Sequence, residues 1–443
     1  MGLLAALISV GCQDQSPSTP TGQKDAKNPT TATAPSATKT AEPDTASEAP
    51  HKPDTPADVA ALKADGAVFK KDEAGSIVSV DLSHGNANDA TLSHLKGLPT
   101  LTDLNLSGPS FTPDGLGKLN ELTGLTRLGL EATNTNNAVL AALAKLPNLV
   151  VLNLFKTDVR DDGLKQLVAI KTLKDLDLRR TLTSDAGTAN LKGLDSLKAL
   201  KLQDTRVTEA CLDSVLSLPA LERLGLPGVN FGNKAVEKIG KVTRFRELQL
   251  DDSIATDAGL APLENLKNLE VLHLRRTRIG NAGIAHIKGL TKMKTLMLRD
   301  TLVDDEGLAY LKGLSNLETL ELSELPITDE GLAQLAGLKK LARLDLWATK
   351  ITPAGTAALR GLHNLIDLNL DSCQINDAAL TNFAGLTRLE RLNLDNTQVS
   401  DRGLPDLRSL TGLRELDLTS VNDVTPEGIE KLKQALPRCQ IKQ

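Results

Sequence analysis

The side chains best able to move a proton near neutral pH are six histidines, at 51, 84, 94, 273, 286 and 363. They are scattered along the chain and do not meet an acid or a nucleophile at a catalytic spacing. Four cysteines, at 12, 211, 373 and 439, include no Cys-x-x-Cys pair. The chain also has no His-Glu-x-x-His, no Gly-x-Ser-x-Gly and no glycine-rich phosphate loop. Catalysis is therefore not expected, and neither is a cofactor or a bound metal. What the remaining polar groups can do is recognise. Arg179, Arg180 and Lys201 form one basic group, and His273, Arg275, Arg276 and Arg299, with Met297, form another; either suits a carboxylate or phosphate. Asp367, Asp371, Asp395, Glu415 and Asp417 carry the oxygen ligands that calcium takes. Phe155 and Trp347 add two large rings, and tryptophan is favoured at the energetic centres of interfaces.

These residues belong together only if something brings them into line. Aligning the chain on an apolar-x-apolar step places Val80/Leu82, Leu104/Leu106, Leu128/Leu130 and Leu152/Leu154 in one register, continuing to Leu392/Leu394 and Leu416/Leu418. From Val80 to Leu416 the chain runs through fourteen periods of 24 residues, so fifteen strands follow one another at constant spacing. Within one copy, Leu389 to Gly412, the first residues alternate apolar Leu392 and Leu394 with polar Arg391, Asn393 and Asp395, the period of a strand with one buried face. A Thr-x-(Val/Ile) step follows, as in Thr397/Val399, and then a polar turn such as Ser400-Asp401. There the hydroxyl can cap a helix whose first turn holds the carboxylate. Apolar residues then recur at three, as in Leu332, Leu335, Leu338 and Leu341, the spacing of a short helical segment. Lys96-Gly97, Lys192-Gly193, Lys288-Gly289 and Lys312-Gly313 close several copies, suiting a helix C-terminus.

One such unit cannot bury enough apolar surface alone, so the copies must stack. The fold class this predicts is α/β: a solenoid of about fifteen parallel strands with short helices on the convex side, its concave sheet about 70 Å long at about 4.8 Å per rung. Register puts Phe155, Arg179, Lys201, His273, Arg275, Arg299, Trp347, Asp371 and Asp395 on the concave strand face, and His273 is the one histidine there. Local pairing competes with ligand binding for most of them. Asp251 and Asp252 precede Arg275 and Arg276 by one rung, Asp300 adjoins Arg299, and Arg343 and Arg391 flank Asp367 in one column. Trp347 has Arg343 and Lys350 nearby on which to stack.

Residues 1–12, MGLLAALISVGC, are apolar but too short to span a bilayer. They resemble the lipobox of bacterial lipoprotein signal peptides, with Ser9 where leucine is usual and no basic residue ahead of the apolar run. The resemblance implies lipidation of Cys12. Residues 13–56 are rich in Ser, Thr, Pro and Ala and lack apolar bulk, which predicts a disordered tether. The remaining 57–443 form the repeat domain. Within it, 57–76 is an N-terminal cap made of a short helix ended by Gly66 and a hairpin through Glu73-Ala74-Gly75. Residues 77–436 are repeats, and 437–443 are a C-terminal cap in which Ile441 begins a closing half-strand.

The pattern LxxLxLxxTx(I/V)xDxGLxxLxxLxx over 77–441 resembles the cysteine-containing and GALA-like leucine-rich repeats, in the threonine-bearing form common in bacterial envelope proteins. In that family the ninth position bonds to the backbone of the neighbouring turn. Here it holds Thr157, Thr181, Thr205, Thr277, Thr301, Thr349 and Thr397, with Cys373 in one copy. Pro109, Val229 and Leu325 depart from it, and the ladder is expected to break there. A net charge of −5 and a pI near 5.8 argue against nucleic acid. Cys211 and Cys373 stand about seven rungs apart, too far for a disulfide. The reading is a monomeric, non-catalytic interaction scaffold, lipid-anchored in the bacterial cell envelope at the outer membrane, periplasm or cell surface. It would bind a protein or envelope polymer on its concave sheet and touch the membrane only through Cys12. Two other readings are a substrate receptor of a ubiquitin ligase, which similar repeats serve in F-box and GALA-type proteins, and an envelope spacer without a ligand.

Overall fold

Each copy opens with three to five residues of strand, and in many of them a buried central leucine is flanked by half-buried residues, as in Arg391-Leu392-Asn393. Successive strands pair in parallel at a shift of 24 residues, Val80 opposite Leu104, Leu272 opposite Leu296, Leu392 opposite Leu416. The computed structural model describes residues 52–226 and 228–443. The apolar segment 1–12 with Cys12, and most of the tether 13–56, lie outside the described residues. Among the described residues the sheet has seventeen strands and is an open leucine-rich-repeat solenoid.

At its N-terminal end, helix α1 (Pro56–Ala64) is followed by β1 (Val68–Lys71) and β2 (Ile77–Asp81), an antiparallel hairpin in which Phe69 faces Val80. Gly66 and Gly75 take positive φ, ending the helix and turning the hairpin. Leu62 of α1 is fully buried, and Asp58 reaches His94 Nδ1 at 2.8 Å. Residues 54–56, expected within the tether, are bound to the repeats. The Thr55 amide donates to Gly97 O, the Ile77 amide donates to Asp54 Oδ2, and Pro56 already begins α1, so these residues are tied to the first rung. At the other end Ile441 pairs with Leu416, closing the sheet with strand Gln440–Lys442.

The second half of each copy is an α-helical or 3₁₀ segment of one or two turns, such as Asp329–Ala333 or Gly355–Gly361. Apolar spacing of three matches the three residues per turn of a 3₁₀ helix. Of the four Lys-Gly glycines, Gly193 alone takes positive φ. The segments containing Gly97 and Gly313 end on Leu98 and Leu314, whose amides close 3₁₀ turns onto Leu95 and Leu311. Among the described residues no helix is long and apolar enough to cross a membrane. Cys211, Cys373 and Cys439 are free and buried.

Three devices fix each turn and its place against the neighbouring rungs. The first follows the strand. Ala132, Lys156, Arg180, Asp204, Asp252, Arg276, Asp300, Glu324, Ala348, Ser372, Asn396 and Ser420 all have φ between 51° and 61°. This left-handed conformation costs an L residue about 1–2 kcal/mol. It aims the amide at the next rung: Glu324 N–H donates to Trp347 O and Ala348 N–H to Asp371 O, both within 2.9 Å. The second is the ninth-position threonine. It does not reach a neighbouring turn but closes its own, Thr277 Oγ1 donating to Leu274 O at 2.7 Å and Thr397 Oγ1 to Leu394 O at 2.6 Å. Cys373 is the exception and bonds across to Leu346 O at 3.1 Å.

The third device gives the turn carboxylate a task beyond the helix dipole. Asp305 Oδ1 accepts the Thr328 amide at 2.8 Å and Oδ2 the Thr328 hydroxyl at 2.5 Å, while that hydroxyl accepts from Glu330 N at 3.3 Å as the cap of the next helix. Asp329 does the same for Thr352, and Asp377 for Ser400. The glycine three residues after the clamped hydroxyl residue follows from this, Gly331 after Thr328 and Gly355 after Thr352. A Cβ on Gly331 would overlap Asp305 Oδ1, and one on Gly355 would overlap Asp329 Oδ1.

Candidate functional site on the strand face

Each strand presents three outward columns, represented in one copy by Arg391, Asn393 and Asp395. The middle column is largely committed to local structure. Asn153, Asp177, Asp345, Asn369, Asn393 and Asp417 each turn one side-chain oxygen onto the amide two residues ahead, at 2.9–3.1 Å. These bonds hold the strand end in the bend that precedes the left-handed residue. Asn serves this turn as well as Asp does, so a negative charge is not what the turn requires.

The structure brings together Phe155, Arg179 and Lys201. The guanidinium carbons of Arg179 and Arg180 stand 5.1 and 5.5 Å from the centre of the Phe155 ring. Asp177, 5 % exposed, binds Arg179 Nη2 at 2.6 Å with Lys201 Nζ at 3.7 Å, and Arg180 Nε meets Asp204 at 3.0 Å. The second expected basic group is likewise neutralised. Arg275 binds Glu321 at 2.5 Å and Asp251 at 3.5 Å, Arg276 binds Asp252 at 2.6 Å, and Arg299 binds Glu324 at 2.6 Å rather than the neighbouring Asp300. Neither group is an open anion site, because each arginine already has a carboxylate. Burial, and then Arg275, push the His273 imidazole down to about 4, so it is neutral at pH 7.

Trp347 does not stack on Arg343 or Lys350. Its partner is Arg299, two rungs back, whose guanidinium carbon lies 4.7 Å from the ring centre. Ser323 occupies the same column on the rung between them. It is 1 % exposed, and its hydroxyl has no hydrogen-bond partner among the described residues. The small side chain at 323 lets the arginine and the indole meet across it. Trp347 remains half-exposed, in contrast to Phe111, Phe231, Phe245 and Phe383, all buried to 1 % or less.

From Trp347 toward the C-terminus the columns become acidic. Arg391 pairs with Asp367 at 2.8 Å, but Arg343 makes no ion pair among the described residues, so the alternating ladder expected in that column is incomplete. Asp345, Asp371 and Asp395 make none either. The Asp345 carboxyl is pushed up to about 6 by burial, with Glu321 and Asp367 adding repulsion. Burial also raises that of Asp371, and Asp395 and Asp417 raise it further. Asp395 Oδ1 is shut off from solvent without a hydrogen bond. Among the described residues no group of three or more His, Cys, Asp or Glu is placed to hold a metal ion. Ser323, Asp345, Glu321 and Glu324 escaped the sequence reading. The side chains that make them matter lie one or two rungs away, and only repeat register combined with side-chain reach could have pointed to them.

Residues 339–399 match a family model described as leucine rich repeat, and residues 145–168 match another of the same description. No curated protein matches the sequence. Among solved structures, an internalin of Listeria monocytogenes is 21 % identical, covering 75 % of this chain and 88 % of its own, with a TM-score of 0.53. Internalin C2 of the same organism is 30 % identical over 48 % of this chain and 84 % of its own, with a TM-score of 0.40. A leucine-rich-repeat protein of Leptospira interrogans is 20 % identical over 78 % and 96 %, with a TM-score of 0.44. The first of these likenesses establishes a shared fold.

Proposed function

We propose that this leucine-rich-repeat chain is a non-catalytic scaffold that binds a protein partner along its strand face and is held in the bacterial cell envelope through Cys12. The observation that carries the binding reading is the placement of the rings. Four phenylalanines fill the core, whereas Phe155 and Trp347 stand half-exposed on the strand face, braced by arginines. Holding a large ring there contributes little to the core. A pre-positioned indole contributes most where a partner buries it, because little conformational freedom remains to be lost. The neutralised arginine groups support the same face as a polar rim around that anchor.

The binding reading is tested by capture from an envelope extract with the purified chain and its Trp347→Ala variant. A partner retained by the wild type and lost from the variant, with unchanged circular dichroism, supports it. Equal recovery by both refutes Trp347 as the anchor. The anchoring reading rests on the 1–12 sequence and the tether that follows it. Labelled palmitate should enter the full-length protein and be absent from Cys12→Ala; label that persists in the variant contradicts it.

A further inference from the structure

On the strand face, cations and acids are not balanced in the same places. Arg127, Arg179, Lys201, Arg223, Arg275, Arg299 and Arg391 each have a carboxylate within 4.0 Å. Among the described residues, Asp345, Asp371 and Asp395, on three consecutive rungs, have no cation, and Asp417 on the next has only the exposed Lys442 at 3.5 Å. Arg343, the other charged group on the Trp347 rung, stands two residues before Asp345 in the outer column and pairs with none of them. Like charges on neighbouring strands destabilise a sheet, and the fold does not call for these. The turn is closed equally well by Asn369 and Asn393, and the third column elsewhere accepts Ser107, Phe155 and Gln203.

A second observation at the same place is independent of the acids. Ser323 is buried to 99 % on the rung before Trp347, and its hydroxyl, in the outward column, is unpartnered. A buried hydroxyl without a hydrogen bond carries a desolvation cost. The stretch from Ser323 to Asp417 therefore joins a half-exposed indole, an idle hydroxyl and carboxylates lacking cations, including the unbonded Asp395 Oδ1.

We propose that the strand face around Trp347, Asp345, Asp371 and Asp395 is the docking site for a basic segment of the protein partner, taking a lysine or arginine side chain against the indole and between the carboxylates. This rests on the reading of the strand face as the binding surface and names the chemistry it selects. An ammonium or guanidinium group supplies the missing charge, donates to Asp371 and Asp395, and gains from the ring by a cation–π contact. Arg299 already covers one part of Trp347, which fixes the ring for the incoming cation. The basic end of the face, around Phe155, has no comparable surplus, because Asp177 and Asp204 occupy its arginines.

Trp347 is the sole tryptophan of the chain, so its emission reports this site directly. The probe is octalysine, with octaglutamate as the opposite-charge arm, titrated in about 0.1 M salt, where the screening length is about 10 Å. Octalysine should change Trp347 emission saturably and octaglutamate should not. The pair Asp371→Asn and Asp395→Asn should weaken octalysine at least about tenfold, the loss expected for about 1.4 kcal/mol. The equally charge-changing pair Asp162→Asn and Glu237→Gln, on helices, should leave it unchanged. No emission change with octalysine, or equal weakening by both variant pairs, overturns the proposal. If that happens while Trp347→Ala still loses a captured partner, the basic-segment assignment fails and the scaffold reading survives. If capture also fails to depend on Trp347, both fall.

Discussion

Replacing Gly331 by alanine would ordinarily be helpful, because it sits inside the helix Asp329–Ala333 without positive φ, and alanine favours helix over glycine by about 1 kcal/mol. The clamp between rungs reverses that expectation. The added Cβ would overlap Asp305 Oδ1 and come within 3.1 Å of Ile327 Cγ2, so the carboxylate must leave the position where it accepts the Thr328 amide and hydroxyl. Two charge-assisted bonds on a half-buried carboxylate are together worth about 2–3 kcal/mol, so Gly331→Ala should lose roughly 1–2 kcal/mol after the gain in helix propensity. In an Asp305→Ala background there is no carboxylate to displace. There the same substitution should be neutral or stabilise by up to about 1 kcal/mol, a coupling of roughly 2–3 kcal/mol. Urea midpoints followed by far-UV circular dichroism for the wild type, both single variants and the double variant measure it, compared at one transition since repeat arrays can unfold in segments. Equal effects of Gly331→Ala in the two backgrounds would refute the clamp as the reason for the glycine.

Two further expectations concern single sites. Asp345 carries a folded-state carboxyl raised to about 6 from an ordinary 3.8, so its ionised form costs stability above pH 6, and that cost fades as pH falls toward 4 and is gone below it. Asp345→Asn, which keeps the acceptor for the Trp347 amide, should therefore stabilise by roughly 1–2 kcal/mol at pH 7–8, allowing for solvent screening, and by nothing near pH 3.5, as read from melting curves at the two pH values. Ala348 has φ of 55° and an exposed side chain; Ala348→Gly should stabilise by about 1 kcal/mol in urea denaturation, because glycine removes the left-handed penalty, and Ala357→Gly in an ordinary helical turn should do the opposite.

The repeat, its strand and its caps were legible because they are written as periodic apolar spacing. Leu392 and Leu416 announce their own pairing, and Gly66 and Gly75 mark turns by their type. The clamp was half legible. Asp305 was recognisable as a first-turn acid, but its hold on Thr328 depends on a contact 23 residues away. The left-handed ladder left little sign: Asp204, Asp252, Asp300 and Asn396 tolerate positive φ, but Lys156, Arg180 and Glu324 do not favour it, and the bond the amide makes to the next rung selects the conformation. The site was the least legible part. Pairing was expected between adjacent rungs, yet an arginine side chain is longer than one rung is wide, so Arg275 reaches Glu321 and Arg299 reaches Trp347, both two rungs away. Most other arginines of this face are held on their own or the adjacent rung, and Arg343, on the Trp347 rung, pairs with none of the acids beside it among the described residues.

A partner is expected on the strand face and not on the helices. A photo-crosslinking amino acid placed at Met297, in the middle strand column, and separately at Glu330, exposed on the helix side, tests it in cells expressing the full chain. A discrete, light-dependent adduct of this protein with a partner is expected from position 297 and none from position 330. Adducts from 330 with none from 297 would contradict it.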